Sequence, residues 1–182
     1  MIKKLSLVLV IALLGSIASV GQESTPKFEA FGGYSYFNGG TAGLTDRYSL
    51  NGWNAQGTYN FNRWLGLTAD FSGEYGSPFG ADVHSHNFLF GPTVSYRTAH
   101  FTPFAHALFG VNDASASLSS SLLGTTVSSN DTAFAFAIGG GVDVPWTHRI
   151  SVRVAQVDWL RTQHFDTNQD NLRVSTGLVF RF

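Results

Sequence analysis

Residues 51–75, NGWNAQGTYNFNRWLGLTADFSGEY, alternate between apolar or small side chains and polar side chains over two consecutive stretches. The apolar parity consists of Trp53, Ala55, Gly57, Tyr59 and Phe61, followed by Leu65, Leu67, Ala69 and Phe71. Because successive side chains of a strand point to opposite faces, each stretch predicts a β-strand with one apolar and one polar face. Only FNRW lies between them, which predicts a tight hairpin.

The same period of two recurs along the chain. It predicts eight strands, at about residues 27–38, 52–61, 64–75, 86–97, 101–112, 132–144, 149–159 and 171–182. The fifth is ambiguous, because Phe104 and Leu108 oppose Phe109 and Val111. The alternation of the seventh slips near Ala155, which predicts a bulge or an early strand end.

The connections between the predicted strands alternate in length. The long ones span residues 39–51, 76–85, 113–131 and 160–170, and the short ones span 62–63, 98–100 and 145–148. Long loops on one side and tight turns on the other are typical of outer-membrane barrels, and each strand has about the 9–11 residues needed to cross a bilayer. The predicted fold is all-β: an eight-stranded antiparallel up-and-down transmembrane β-barrel.

The apolar face could instead point inward, as in a soluble lipocalin-like barrel. Two sets of residues favour the membrane barrel. The polar parity carries a mixed set of charges suited to pairing inside a narrow lumen, namely Glu29, Asp70, Glu74, Arg97, Asp143, Arg149, Arg153, Arg173 and Arg181. The tryptophans sort into two predicted interfacial belts, with Trp64 and Trp146 at short turns and Trp53 and Trp159 beside long loops.

The N-terminus, MIKKLSLVLVIALLGSIASVGQ, has the features of a secretory signal. Lys3 and Lys4 precede a short apolar run, and Ser16 and Ala18 form the small-x-small pattern of a cleavage site. The apolar run is shorter than the ~20 residues of a membrane-spanning helix. We therefore expect a signal peptide at 1–18, with cleavage after Ala18 or alternatively Gly21, a linker at 19–26 and a barrel domain at 27–182.

The composition excludes several classes of function. The net charge of −1 provides no basic field for nucleic acid. The chain has no cysteine, which rules out disulfides and cysteine-based catalysis or metal ligation.

The last residues, STGLVFRF, carry a polar Ser175, a Gly177, and aromatic rings at Phe180 and Phe182. This pattern resembles the assembly signal of outer-membrane β-barrels, and residues 27–182 as a whole resemble the small OmpA-type and opacity-type barrels of the outer membrane protein β-barrel domain family. The resemblance implies an eight-stranded barrel in the cell outer membrane. It also implies that the barrel-insertion machinery recognises the last strand.

One segment, DVHSHN at residues 82–87, is a candidate for a catalytic site, since some small outer-membrane barrels are lipid A deacylases with a His-x-Ser pair. Ser85 is adjacent to His84 and His86, so in a strand it points to the opposite face from both. A nucleophile needs its base within about 2.6–3.2 Å. His84 and His86 share a face, but two imidazoles make an incomplete metal site, and His106 is expected to fill the lumen. No catalytic, metal or cofactor site is predicted.

The sequence thus predicts a small integral outer-membrane protein with a structural or surface-presentation role, such as adhesion, and no catalysis. A narrow passive pore and a lipid A-modifying enzyme remain the alternatives. The predicted partners are outer-membrane lipid, the insertion machinery, and a surface ligand contacted through loops 39–51, 113–131 and 160–170.

Overall fold

The computed structural model describes residues 25–40, 47–78, 82–120, 125–164 and 167–182. The predicted signal peptide at 1–18, both cleavage sites and most of the linker at 19–26 lie outside the described residues, as do parts of four predicted outer loops.

Eight strands make up the described chain: β1 (Phe28–Gly40), β2 (Arg47–Asn60), β3 (Leu65–Gly76), β4 (Asp82–Ser95), β5 (Thr102–Ser120), β6 (Thr125–Pro145), β7 (Ile150–His164) and β8 (Thr167–Arg181). Each pairs with its sequence neighbour, and β1 also pairs antiparallel with β8, which closes the barrel. The predicted fold class is confirmed. Within the described ranges, no helix is long and apolar enough to cross a membrane.

The strands are longer on the loop side than the sequence predicts. Much of the predicted loops 39–51, 113–131 and 160–170 is strand, and β5 and β6 continue as one hairpin to Ser120 and from Thr125. Apolar and polar side chains alternate only where one face of the strand meets lipid and the other faces the lumen. Beyond the bilayer both faces meet water, so the alternation stops while the backbone ladder continues.

The apolar parity faces outward and the polar parity faces the lumen. In β5, Leu108 is fully buried in the lumen while Phe109 and Val111 are exposed on the outside, which resolves the ambiguous parity. In β7 the pairing with β8 shifts between Arg153 and Gln156, so the predicted slip near Ala155 is a bulge.

Side-chain oxygens stabilise the three short turns. Asn62 Oδ1 accepts the backbone N–H groups of Trp64 and Leu65. Thr98 Oγ1 accepts that of Phe101, and Thr147 Oγ1 accepts that of Ile150. Asn and Thr make such local bonds to their own backbone, which favours tight turns at these positions.

Candidate functional site

A buried arginine lies at the centre of the lumen. Arg173 on β8 is fully buried, and its guanidinium bonds Asp70 on β3 through both terminal nitrogens, at 2.8 and 3.0 Å. It also bonds Asp158 on β7 at 2.8 Å and Ser72 Oγ at 2.9 Å. Residues on three strands are therefore joined through one cation across the interior of the barrel.

Asp158 extends this cluster to a histidine. His106 Nε2 on β5 lies 2.8 Å from Asp158 Oδ1, and Gln156 donates to Asp158 Oδ2 at 2.7 Å. Gly139 on β6 pairs with Asp158, and a Cβ at Gly139 would collide with the Asp158 carboxylate, so the glycine leaves room for the ion pair. Among the described residues, His106 Nδ1 is buried and has no hydrogen-bond partner.

A second buried arginine lies closer to the short turns. Arg153 on β7 bonds both carboxylate oxygens of Asp143, at 2.7 and 3.1 Å. Its guanidinium also lies 4.3 Å from the ring centre of Phe31 and 4.2 Å from that of Phe104. This combines a bidentate ion pair with two cation–π contacts, both of which suit a planar, buried guanidinium.

The third cluster lies at the end of the lumen beside the short turns. Glu29 on β1 accepts two bonds from Arg97, at 3.0 and 2.7 Å, and one from Arg181 at 3.2 Å. Asn60 also donates to Glu29 at 3.0 Å. One carboxylate therefore serves two guanidiniums, and it links β1 to both β8 and the short connection between β4 and β5.

A small polar cavity of about 10 Å³ lies between the second and third clusters. Its lining includes the hydroxyls of Thr58, Thr68 and Thr93 together with His106 and Arg153. Its volume approaches the roughly 10–15 Å³ that one water molecule requires, so the cavity has room for about one water molecule.

The outer half of the lumen is filled by different chemistry. Glu74 accepts bonds from Ser35 and Asn87, and Asn112 donates to Asn87 and Ser85. Beside these groups lies a buried apolar cluster of Phe37, Leu50, Leu89, Leu108, Ala135, Ala137 and Leu160. The lumen thus changes from charged to mixed polar and apolar toward the outer loops.

Most predicted lumen charges lie where the alternation places them. Those inside are Glu29, Asp70, Glu74, Asp143, Arg153 and Arg173, with Arg97 and Arg181 at the rim. Arg149 is the exception, because it is exposed in the turn before β7 begins at Ile150 and strand parity does not apply to a turn.

Asp158, Gln156 and the two aromatic partners of Arg153 were not among the residues predicted to fill the lumen. A signal for Asp158 was present, because a bulge near Ala155 inverts the parity of every later residue in the strand. The inward position of Phe31 followed from the parity that it shares with Glu29, whereas Phe104 lay in the ambiguous fifth strand, and neither pattern indicated a contact with Arg153.

The ion pairs of Glu29 at the rim predict which substitutions there destabilise the barrel most. We expect Glu29→Gln to destabilise the barrel more than Arg181→Ala, because it leaves two arginines without their carboxylate whereas Arg181→Ala leaves Glu29 bonded to Arg97. In double-mutant cycles, the coupling energy of Glu29 with Arg97 should be about 1–2 kcal/mol and should exceed that with Arg181. Reversible urea unfolding from lipid vesicles measures both, and equal coupling energies would contradict this order.

Three of the four predicted belt tryptophans are exposed on the outside of the described barrel. Trp53 and Trp159 face outward from β2 and β7, at 45% and 40% exposure, and Trp146 in its turn is 71% exposed. Trp64 is half-buried in the first short turn. Their predicted interfacial role remains a prediction.

Of the predicted assembly residues, Ser175 is buried in the lumen and Gly177 pairs with Gly33. Phe180 and Phe182 face outward, and Phe182 is 71% exposed. Its backbone nevertheless exchanges hydrogen bonds with Phe28 at 2.9 and 3.3 Å. The terminal residue therefore closes the sheet through its backbone and buries little of its ring.

We expect Phe182→Ala to affect assembly far more than stability. A ring this exposed contributes at most about 1 kcal/mol, well below the value for a fully buried Phe, and alanine keeps both backbone bonds to β1. Outer-membrane levels in cells should fall severalfold, while the midpoint of urea unfolding in detergent stays nearly unchanged. Phe61→Ala, at a turn outside the predicted signal, is the matched control; a large stability loss with normal cellular levels would contradict the prediction.

The candidate Ser–His pairing does not form. Ser85 points into the lumen and receives a bond from Asn112 at 2.8 Å, whereas His84 and His86 face outward and contact the ring of Tyr75. Within the described ranges, no three His, Cys, Asp or Glu side chains are grouped to hold a metal.

Comparisons with known proteins agree with this geometry. No curated protein matches the sequence. Neisserial surface protein A (NspA) is 16% identical, with 88% of this chain and 100% of that chain covered and a TM-score of 0.67. The attachment invasion locus protein Ail of Yersinia pestis is 16% identical, with 86% and 99% covered and a TM-score of 0.65. OprG, an outer membrane protein of Pseudomonas aeruginosa, is 11% identical, with 87% and 96% covered and a TM-score of 0.51.

These structures share the fold of the chain at low sequence identity. The family model for the outer membrane protein beta-barrel domain matches residues 6–182, which is nearly the whole sequence. The chain therefore belongs to the outer membrane protein beta-barrel domain family and is a small barrel of the outer membrane.

Proposed function

We propose that this barrel presents a contact surface at the outside of the cell and carries out no catalysis. The observation that carries the proposal is the contrast between its two parts. The lumen is filled by side chains, whereas the β5–β6 hairpin extends beyond the other strands. We therefore assign the contact role to the β5–β6 hairpin.

The projection follows from the pairing register. Ser117 of β5 pairs with Asp82, the first residue of β4, so Leu118–Ser120 continues with β6 as its described neighbour. On the other side, the described pairing of β6 with β7 begins at Ala135 and Thr162. In the described register, residues 125–134 of β6 therefore pair with β5 alone. The β5–β6 hairpin thus extends beyond the rim that the other described strands form.

The composition of the hairpin indicates the kind of surface it contacts. Residues 113–131 are rich in serine and threonine, and their charged residues are Asp113 and Asp131. Elsewhere at the outer rim, the exposed Arg161 is 3.8 Å from Asp170. Ail has been solved in complex with the heparin analogue sucrose octasulfate, but the acidic and neutral hairpin of this chain favours an uncharged protein or cell surface over a sulfated polysaccharide.

The filled lumen argues against the alternative of a narrow pore. Arg173 reaches across the interior to Asp70 on β3, and Arg153 reaches across it to Gln56 on β2, and the apolar cluster lies beyond them. An eight-stranded barrel is just wide enough for its side chains to fill it. We expect purified protein in planar lipid bilayers to show no stepwise conductance, and stable open channels of the wild type would favour the pore instead.

The contact role is tested by removing the hairpin without cutting the barrel. Ser117 and Ser128 are directly paired, so replacing residues 118–127 by Asn-Gly closes β5 and β6 with a two-residue turn. The matched control replaces residues 165–166 by Asn-Gly between the paired His164 and Thr167, which leaves the strand lengths unchanged.

Cells that display each variant are compared for attachment to matrix-protein-coated surfaces, to cultured cells and to one another. We expect the shortened variant to lose attachment while its surface level and its heat-modifiable gel mobility stay normal, and we expect the control to attach like the wild type. Wild-type cells that attach no better than cells lacking the protein, in all three assays, would refute the proposal.

A further inference from the structure

Four side chains on the outer wall of β2, β3 and β4 form a group that neither the lumen nor the hairpin explains. We call Trp53, Tyr75, His84 and His86 the outer-wall cluster. The ring of Tyr75 meets those of His84 and His86 edge-on, with centroids 5.3 and 5.5 Å apart, and Tyr75 Oη lies 3.0 Å from His86 Nε2. Their polar atoms thus lie together on the side of the barrel that faces lipid.

A glycine allows the cluster to come together. Gly73 pairs with Trp53 on one side and His86 on the other. A Cβ at Gly73 would lie 2.8 Å from Tyr75 Oη and 2.9 Å from Trp53 Nε1. The hydroxyl and the indole N–H therefore converge over the bare backbone of one residue, and a larger side chain there would push them apart.

The height of the cluster is that of the lipid headgroups. Tyr75 lies about ten residues above Leu65, where β3 leaves its short turn. A strand rises about 3.3 Å per residue and is tilted by about 35–45°, so ten residues climb roughly 25 Å, which is the height of the apolar band of an outer-membrane barrel. The cluster therefore lies at the upper boundary of that band.

Height alone does not explain the cluster, because the opposite wall carries one indole between apolar side chains at the same level. There Trp159 of β7 pairs with Ile138 of β6 and Leu172 of β8, which are 48% and 41% exposed. Directly below the cluster, Phe71 and Phe88 pack edge-on with centroids 5.7 Å apart. The wall of β2–β4 is thus polar above and aromatic below.

The chemistry of the cluster suits a sugar. Trp53, Tyr75 and the imidazoles offer aromatic faces, N–H and O–H donors, and imidazole nitrogens as acceptors. Asp113, exposed and directly opposite His86 in the register, adds a carboxylate that accepts bonds from hydroxyls and repels phosphate. Saccharides present both hydroxyl donors and C–H faces, whereas a simple anion uses the donors alone.

We propose that the outer-wall cluster binds the saccharide headgroup of a glycolipid in the outer leaflet, with the acyl chains against Phe71 and Phe88. The occupant is a lipid because this wall faces the bilayer, and it is a glycolipid because the polar half combines aromatic faces, donors and a carboxylate.

Native mass spectrometry of the refolded full chain in detergent tests the proposal with three probes. These are lipid A, dephosphorylated lipid A, and phosphatidylglycerol, which has phosphate but no sugar. We expect dephosphorylated lipid A to bind at least as tightly as lipid A, because Asp113 repels phosphate, and phosphatidylglycerol to bind about tenfold more weakly than either. Preference for phosphorylated lipid A and phosphatidylglycerol over the dephosphorylated form, or equal binding of all three, would overturn the assignment.

Variants locate the site on this wall. Tyr75→Phe and His86→Ala should each weaken lipid A binding about fivefold, as expected for losing a hydrogen bond to the ligand. Gly73→Ala should also weaken binding, because its Cβ pushes Tyr75 Oη and Trp53 Nε1 apart although both donors are kept. Trp159→Phe on the opposite wall is the matched control for Trp53→Phe, since both indoles are exposed to a similar degree. Equal effects of the two tryptophan variants, with unchanged gel mobility of each, would show a general interfacial belt and refute the site.

Discussion

Replacing Arg173 by methionine is expected to destabilise the folded barrel by about 3–5 kcal/mol, the cost of removing one partner from a buried ion pair. Arg173 is fully buried and bonds Asp70 and Asp158, so its loss leaves two carboxylates in the lumen without a guanidinium. Methionine keeps the length of the side chain, which limits the cavity. Equilibrium urea unfolding from lipid vesicles, followed by tryptophan fluorescence, gives the free energy directly.

Two further variants separate charge from shape. Arg173→Lys keeps the cation but loses the planar fork that bonds both aspartates, so we expect an intermediate loss. Arg173→Met combined with Asp70→Asn and Asp158→Asn removes all three charges and should recover much of the stability. If the triple variant were no more stable than Arg173→Met alone, uncompensated charge would not be the cause of the loss.

The second large effect is expected at the lipid face. Ala69 on β3 faces outward at mid-strand, between Gly57 of β2 and Phe90 of β4. We expect Ala69→Arg to cost about 2–4 kcal/mol, because a charged side chain near the bilayer midplane must leave water or distort the lipid. The same unfolding assay from vesicles measures the loss, and the cost should shrink in detergent micelles, where the apolar layer is easier to deform.

The matched controls vary the side chain and the face separately. Ala69→Leu has the same position without a charge and should be nearly neutral. Thr58→Arg is the corresponding change on the lumen side, where the side chain borders the polar cavity that Glu29 and Asp143 also line. Thr58→Arg should lower the free energy of unfolding less than Ala69→Arg does. An equal or larger loss for Thr58→Arg in vesicles, with Ala69→Leu neutral, would mean that crowding in the lumen outweighs exposure of the charge to lipid.

Local patterns were sufficient to predict the number of strands, their order and the face of most side chains, except in the ambiguous fifth strand and beyond the bulge of the seventh. The reason is that lipid on one side and a polar lumen on the other impose the period of two on every spanning strand. The period of two did not apply to Arg149, which lies in a turn, or to the outer strand ends. There the alternation stops at the membrane boundary and the hydrogen-bonded ladder does not.

The sequence also indicated which charges enter the lumen but not which ones pair. Glu29 is opposite Arg181 in the register, a neighbour relation that closing β1 on β8 implies, yet its shorter contact is with Arg97, which follows β4. Arg173 and Asp70 are bonded across the barrel, 103 residues apart in the chain. Such partners depend on the curvature of the closed sheet, which no local pattern encodes.

By itself, therefore, the sequence determined an eight-stranded barrel of the outer membrane, with its apolar face toward lipid and its charges inside. The tertiary structure decided what those charges do. It joined Asp158 to His106 and Arg173 by inverting the parity of β7 at a bulge, and it placed Phe31 and Phe104 on either side of Arg153. It also brought Trp53, Tyr75 and His86 together over Gly73. Each of these contacts joins strands that meet only when the sheet closes or when the register between neighbours is set, and both depend on the packing of the whole barrel.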